Sequence, residues 1–590
     1  MIWRFDPYEL DEEQRELRLL GREVMVEPLV FDLLADLVRN RDRVVTKDEL
    51  FDRVWAGAIV SESSLQRAVS LARSALRAGN LTDAIKTFSR RGYRFTASVT
   101  EISSHPTTTT AVNDLDPLRR ARHEFERNNW EKARSEFIKA DGAGGLAGPD
   151  LERAAWCYLN LGRPHESVSW LERAAAAHSA AADSLGAARA AILLCQVHLE
   201  GRRTMVAGGW QQRAQRLLEG QKPCREVAQF EWVTGRLALA TGDIDNSLLH
   251  AERALALARS VEDPDLEAVS LIYLGHVCIV RGDVRRGLAL HDEAAAAVLG
   301  GAVAPWFAGL VYCGLVYICQ NRGDWLRAAH WTEAFGRWAD RAPTFTYPAV
   351  CRMHRAEVLA LKGELATAER ELTEVRTELE ESAPWAVGDA ERIVGEVLRA
   401  RGDLSGAEQA YRRAQVVGWD SCPGWAELLL ERKDAPAAVR ALEMAIEDPS
   451  WPCRQRRRLL FAALARAAAL SGDTVRARQA IDAAVTIEDG DITPAQHGAL
   501  ERARGEIAAA EGRIDEAIRT LRAALRFWRD IEATLEIAPL HERLAELLLA
   551  AGDTTSATME LQTAETLWRD AESVTRADAC AARRLALQTS

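Results

Sequence analysis

The chain has 590 residues, with 75 Lys and Arg against 87 Asp and Glu for a formal net charge of −12, and 48% of its residues are hydrophobic. That length exceeds one ordinary domain and calls for several domains or a repeat array, with ample apolar material for a core. The acidic balance excludes a polyanion-binding surface spread over the whole protein: only residues 51–100, with 8 basic and 3 acidic side chains, offer local positive charge.

The chain opens with short extended runs. "IWRF", "YEL", "RELRLL" and "EVMVE" predict strands, with "LLGRE" (19–23) supplying a hairpin turn at Gly21. Pro28 stands at a first helical position, and "PLVFDLLADLVRN" sets Phe31, Leu34 and Val38 on one face. Thr46 then caps a second helix, with Glu49 as capping-box partner and Val45 and Leu50 as hydrophobic staple; "KDELFDRVWA" ends near Gly57. A third helix, capped by Ser61, buries Leu65, Val69, Ala72 and Leu76. Its exposed face carries Ser63, Ser64, Gln66, Arg67, Ser70, Arg73 and Arg77, basic and polar with no acid after Glu62. "IKTFSRRGYRF" (85–95) reads as strand, turn, strand, with Gly92 permitting the turn and Arg90 and Arg91 at its tip.

Sheet, three helices and a terminal basic hairpin resemble the OmpR/PhoB-type winged helix-turn-helix, and more closely the version in ToxR- and CadC-like regulators. The segments that carry the resemblance are "VFDLLADLVRNRDRVVTKDELFDRVW", "IVSESSLQRAVSLARSAL" and "IKTFSRRGYRF", within residues 3–99. It implies that residues 61–77 form the recognition helix of the DNA major groove. Ser63, Ser64, Arg67, Ser70 and Arg73 fall at the family's base and phosphate contacts, with Gln66 and Arg77 on the same face. Trp55 matches a tryptophan that packs against the DNA backbone, although a core role fits it equally. Thr87, Ser89, Arg90 and Arg91 match the wing. Relatives often carry consecutive basic positions where this helix reads Ser70, Leu71, Ala72, Arg73, which shifts weight to the wing and to a second protomer.

After residue 99 comes "SSHPTTTTAVNDLDP" (103–117), without apolar periodicity; residues 100–116 are expected to be a flexible linker between domains at 1–99 and 117–590. From there one phrase recurs near every fortieth residue: Gly, often Asp, three residues, then a small residue opening a helix. Examples are "TGDIDNS" (241–247), "RGDVRRG" (281–287), "RGDLSGA" (401–407) and "AGDTTSA" (551–557). Gly201 is counted among its glycines, and "RKDAPAA" (432–438) is a degenerate copy. Glycine closes one helix, Asp starts the next, and each helical hairpin must stack on others to bury its faces. The pattern resembles the tetratricopeptide (TPR) superfamily, in the long-helix variant of MalT-type activators. The expected fold is therefore mainly α: an N-terminal α+β winged helix domain plus a C-terminal right-handed α-solenoid of about twelve TPR-like helical hairpins.

Within the array, "AVAPWFAGLVYCGLVYIC" (302–319) is long enough to span a bilayer, but it falls in step with the repeat and is read as a buried helix. Trp331, Phe335 and Trp338 share one helix face, as inter-repeat core or as a ligand-binding pocket. The ten cysteines form no C-x-x-C pair, the start lacks a leader pattern, and neither P-loop nor catalytic motifs occur. With the winged helix at the first residue, no receiver domain is expected ahead of it. The expectation is a cytoplasmic, non-enzymatic, one-component transcriptional regulator without metal or cofactor. Its partners are double-stranded DNA, a second copy on DNA, a small-molecule, peptide or protein effector on the solenoid, and RNA polymerase as a partner the resemblance allows; no membrane is expected. The alternatives are a scaffold or adaptor, or a DNA-docking subunit of a larger complex.

Overall fold

The computed structural model describes all residues except 1, 6, 13–14, 20–21, 25, 27, 55–61, 78–80, 82–83, 89–90, 103–115, 341–348, 449, 488–489 and 590. Two compact units result, residues 1–115 and 116–590. The expected turn at Gly21, the Ser61 cap and most of the linker lie outside the described residues.

In the first unit, strands β1 (Ile2–Phe5), β2 (Tyr8–Asp11), β3 (Glu16–Leu19) and β4 (Arg22–Val24) form an antiparallel meander. Alternation puts Trp3, Phe5, Tyr8, Leu10 and Leu17 into the core. Helix α1 (Pro28–Arg39) buries Phe31, Leu34 and Val38, the stripe expected from its spacing. A two-residue strand β5 (Val45–Thr46) leads into α2 (Lys47–Val54) through the expected capping box: the Thr46 amide donates to Glu49 Oε2 at 3.0 Å, and the Glu49 amide donates to Thr46 Oγ1 at 3.2 Å. Helix α3 (Glu62–Arg77) packs Leu65, Val69, Ala72 and Leu76 inward, and Tyr8 Oη donates to Ala75 O at 2.8 Å to tie sheet to helix. β6 (Ile85–Phe88) and β7 (Gly92–Phe95) pair with each other and with β5 in the order β5-β7-β6. One strand was not foreseen. β8 (Thr100–Ile102) pairs with β1 and becomes the edge of the five-stranded sheet, so residues 100–102 belong to the domain rather than to the linker assigned to 100–116.

The second unit contains 25 helices among its described residues, which run as twelve hairpins and a final helix, Val574–Thr589. Most hairpins turn on one left-handed residue, as at Gly242 with φ +83°, followed by an Asp that caps the second helix. The amides of Asn246, Arg286, Gly406 and Ser556 donate to the carboxylates of Asp243, Asp283, Asp403 and Asp553 at 2.9–3.3 Å. Two positions differ from the expected phrase. Gly201 has φ −77° and the left-handed residue is Arg202 with φ +58°, while Lys433 holds φ +62° in the degenerate copy.

The array coils tightly enough for hairpin n to meet hairpin n+5. Pro264–Val280 touches Trp451–Leu470, Ala349–Lys362 touches Thr534–Ala550, and Val387–Arg401 touches Val574–Thr589. Polar contacts fix this closure: Gln496 Nε2 donates to Arg322 O at 2.9 Å, and Ser573 Oγ to Ala400 O at 2.7 Å. The apolar segment at 302–319 lies in helix Pro305–Arg322, largely buried within the array, and no helix among the described residues is long and apolar enough to cross a membrane.

Candidate nucleic-acid interface

Among the described residues, the side of α3 away from the core and the adjoining hairpin carry a group of exposed polar side chains. Ser70 and Arg77 on the helix, Lys86 and Thr87 on β6, and Arg91 at the turn are all exposed. The turn closes with the Arg91 amide donating to Phe88 O at 2.9 Å. Lys86 was passed over in the sequence, although it stands in the same basic stretch. Helical spacing carries Ser63, Ser64, Gln66 and Arg67 along α3, but their side chains, and Trp55, Ser89 and Arg90 altogether, lie outside the described residues.

Arg73 is placed differently from a free phosphate ligand. Its Nε and Nη2 donate to Ile85 O at 3.1 and 2.8 Å, and Nη2 also donates to Thr87 Oγ1 at 2.8 Å. The guanidinium fork therefore braces helix against wing, a use no spacing could reveal. Arg94 is likewise engaged, its Nε donating to Arg41 O at 2.9 Å, while Arg41 itself lies over the Trp3 ring at 4.6 Å. At the start of α2, the Arg43 guanidinium 2.9 Å from Glu49, joined by the Thr46 amide, holds the Glu49 carboxyl down at about 2. Acid is thus neutralised locally, and the exposed cations of α3 and the wing face solvent.

In the second unit, the inner side of the array encloses a 620 Å³ cavity. Rings from distant hairpins meet there: Trp156 and Trp306 stand edge to face at 5.3 Å, joined by Trp130, Phe307 and Trp385. The aromatic trio singled out in the sequence does not line it. Phe335 is 2% exposed, lies 4.5 Å from the Tyr312 ring and stacks on Trp338 at 5.5 Å; Trp331 and Trp338 pack against the same core. Their shared face points into the hairpin because it is that helix's apolar stripe. The cavity aromatics are scattered over more than two hundred residues and share no local spacing.

Residues 21–95 match the family of transcriptional regulatory protein C-terminal domains. The chain is 36% identical over 93 residues to the phosphate regulon transcriptional regulatory protein PhoB of Rhizobium meliloti (strain 1021), spanning 16% of this chain and 41% of that protein. It is 33% identical over 82 residues to the transcriptional activator CadC of Escherichia coli (strain K12), spanning 13% of this chain and 16% of that protein. Among solved structures, the APC/C Cut9–Hcn1 hetero-tetramer aligns over 81% of this chain and 98% of its own, at 13% identity and a TM-score of 0.36. A tetratricopeptide repeat protein from Parabacteroides merdae ATCC 43184 aligns over 53% of this chain and 99% of its own, at 15% identity and a TM-score of 0.24. The chain therefore carries an OmpR/PhoB-type transcription-regulatory domain over residues 21–95, followed by an array of helical hairpins.

Proposed function

We propose that the protein is a transcriptional regulator that binds duplex DNA through α3 and the β6–β7 wing and receives its signal through the helical array. The observation that carries this reading is the family match over residues 21–95, on a surface where Arg77, Lys86 and Arg91 are exposed. Arg73 supports it indirectly, since a wing fixed to the recognition helix meets both grooves without paying ordering entropy at the moment of binding. Ser63, Ser64, Gln66, Arg67 and Ser70 supply base and phosphate contacts along α3, with Trp55, Thr87, Ser89 and Arg90 flanking them. Two copies bind repeated half-sites, and an effector on the array controls whether both copies sit together. RNA polymerase is the downstream partner of the DNA-bound form.

Fluorescence anisotropy of the full chain on labelled genomic duplexes, titrated with salt, tests the reading. Each phosphate contact contributes about 0.9 to the slope of log K against log salt, so Arg77→Ala with Arg91→Ala lowers the slope by about 2. Arg73→Ala weakens binding by about 1 kcal/mol with a slope closer to that of the parent, because it positions the wing. Failure to bind any duplex at low salt overturns the proposal and leaves the scaffold alternative.

A further inference from the structure

Two thiols from successive hairpins open onto the aromatic cavity: Cys313 on helix Pro305–Arg322 and Cys351 on helix Ala349–Lys362. Cys351 Sγ donates to Gly309 O at 4.0 Å, one turn before Cys313 on the facing helix, and His354, one turn along from Cys351, sets its ring against Tyr317, one turn after Cys313. His354 is 1% exposed, its ring lies 5.2 Å from that of Tyr317, and neither ring nitrogen has a hydrogen-bond partner. The neighbouring Cys351 thiol, with His354 adding to it against the cost of burial, pulls the Cys313 thiol down from its ordinary value. Burial alone lowers the His354 imidazole, and the Cys313 thiolate outweighs it and raises it. The buried cysteines elsewhere behave oppositely: burial pushes Cys157, Cys195, Cys319 and Cys580 up.

We propose that Cys313 and Cys351 are a peroxide-reactive dithiol, with Cys313 attacking and Cys351 resolving, and that the cavity admits hydroperoxides bearing an apolar group. The dithiol chemistry stands without the DNA reading; its service as the signal received by the array rests on that reading. The ligand class follows from the walls. A space of 620 Å³ lined by Trp156, Trp306, Phe307 and Trp385 fits a drug-sized apolar body, for which hydrogen peroxide has no use. In the first step Cys313 sulfur attacks the terminal peroxide oxygen, the S–O bond forms and the O–O bond breaks. Sulfur loses two electrons, and the leaving alkoxide takes a proton from the His354 imidazolium to depart as the alcohol. In the second step Cys351 sulfur attacks the Cys313 sulfenic acid, the S–S bond forms, and the S–O bond breaks with water leaving on the Cys351 proton.

The test treats the full chain with one equivalent of cumene hydroperoxide or hydrogen peroxide and maps oxidised cysteines by mass spectrometry of peptides. The expected product is a Cys313–Cys351 disulfide, formed about tenfold or more faster with cumene hydroperoxide than with hydrogen peroxide, a preference that Trp306→Ala reduces. Cys351→Ser stops at a sulfenic acid that dimedone traps on residue 313, and Cys313→Ser leaves Cys351 reduced. The proposal is overturned if the parent chain oxidises elsewhere while both thiols stay reduced, a measurement that needs no variant. Equal rates with the two peroxides overturn the apolar-ligand part. DNA anisotropy on the same oxidised sample separates the two readings: a disulfide without changed affinity removes the signalling role. A chain that never binds DNA yet forms the disulfide overturns the regulator reading alone and supports the dithiol.

Discussion

A single hydrogen in place of a methyl group sets how closely the wing approaches the rest of its domain. Gly92 was expected to serve the turn of the β6–β7 hairpin, and the structure gives it another task. It is the first residue of β7, pairs with both Phe88 and Thr46, and has φ +153°. A Cβ there would lie 1.9 Å from Val45 O, a backbone atom that cannot step aside. Gly92→Ala should therefore separate β5 from β7 and destabilise the first unit by about 3 kcal/mol or more. Hydrogen exchange of the full chain checks this, with protection lost at Val45 and Tyr93 and retained in the array. Unchanged protection at Val45 would refute the close-approach explanation. The buried stripes of α1 and α3 were legible because periodicity reports burial directly. The task of Arg73 was not, since an arginine on a polar helix face reads alike whether it meets phosphate or the Ile85 carbonyl.

At the scale of elements, the hairpins were legible because their turns impose a backbone conformation that few side chains tolerate. The left-handed residue and the Asp cap recur together, so the regular spacing survives where helix sequences do not. Exceptions are informative. Lys433 occupies the left-handed position in the hairpin formed by the 8-residue helix Gly424–Glu431 and Ala435–Glu447, and the Asp434 carboxylate still accepts from the Ala437 amide at 3.1 Å. The cap holds the turn although no glycine stands there. Lys433→Gly should relieve the strain of φ +62° and stabilise the array by about 0.5–1 kcal/mol, read as a higher urea midpoint with an unchanged slope. A lower midpoint would mean that glycine's extra freedom in the unfolded chain exceeds the relieved strain. Strand β8 escaped notice for the opposite reason. Three residues, "TEI", carry too little alternation to register, and their strand character comes from the β1 edge they cover.

At the scale of the whole array, its pitch was not legible, because residues that close the coil lie far apart in sequence: Gln496 meets Arg322 and Ser573 meets Ala400. Coiling turns the inner helix faces toward each other, and one stretch of those faces pairs charges among the apolar side chains. Arg466 Nη1 donates to both carboxylate oxygens of Glu427, Arg399 Nη1 donates to Glu431 at 2.8 Å, and Arg502 pairs with Glu536 at 2.8 Å, so five successive hairpins contribute to one row of ion pairs. Burial opposes ionisation of Glu427, but the guanidiniums of Arg466, Arg502 and Arg399 outweigh it and hold the carboxyl at about 2. Glu427→Gln leaves those cations facing one another, with the Glu427 and Arg466 side chains only 20% and 15% exposed, and should destabilise the array by about 3 kcal/mol at neutral pH. The sign of the pH dependence follows from the depressed value. Glu427 stabilises the fold above its ordinary carboxylate value of 4.5, and that contribution is lost as pH falls toward about 2. Urea midpoints of parent and Glu427→Gln chains should therefore differ most near pH 7 and converge as pH approaches 2. A difference that does not shrink with acid would show that the Glu427→Gln change acts by disrupting packing rather than by removing charge.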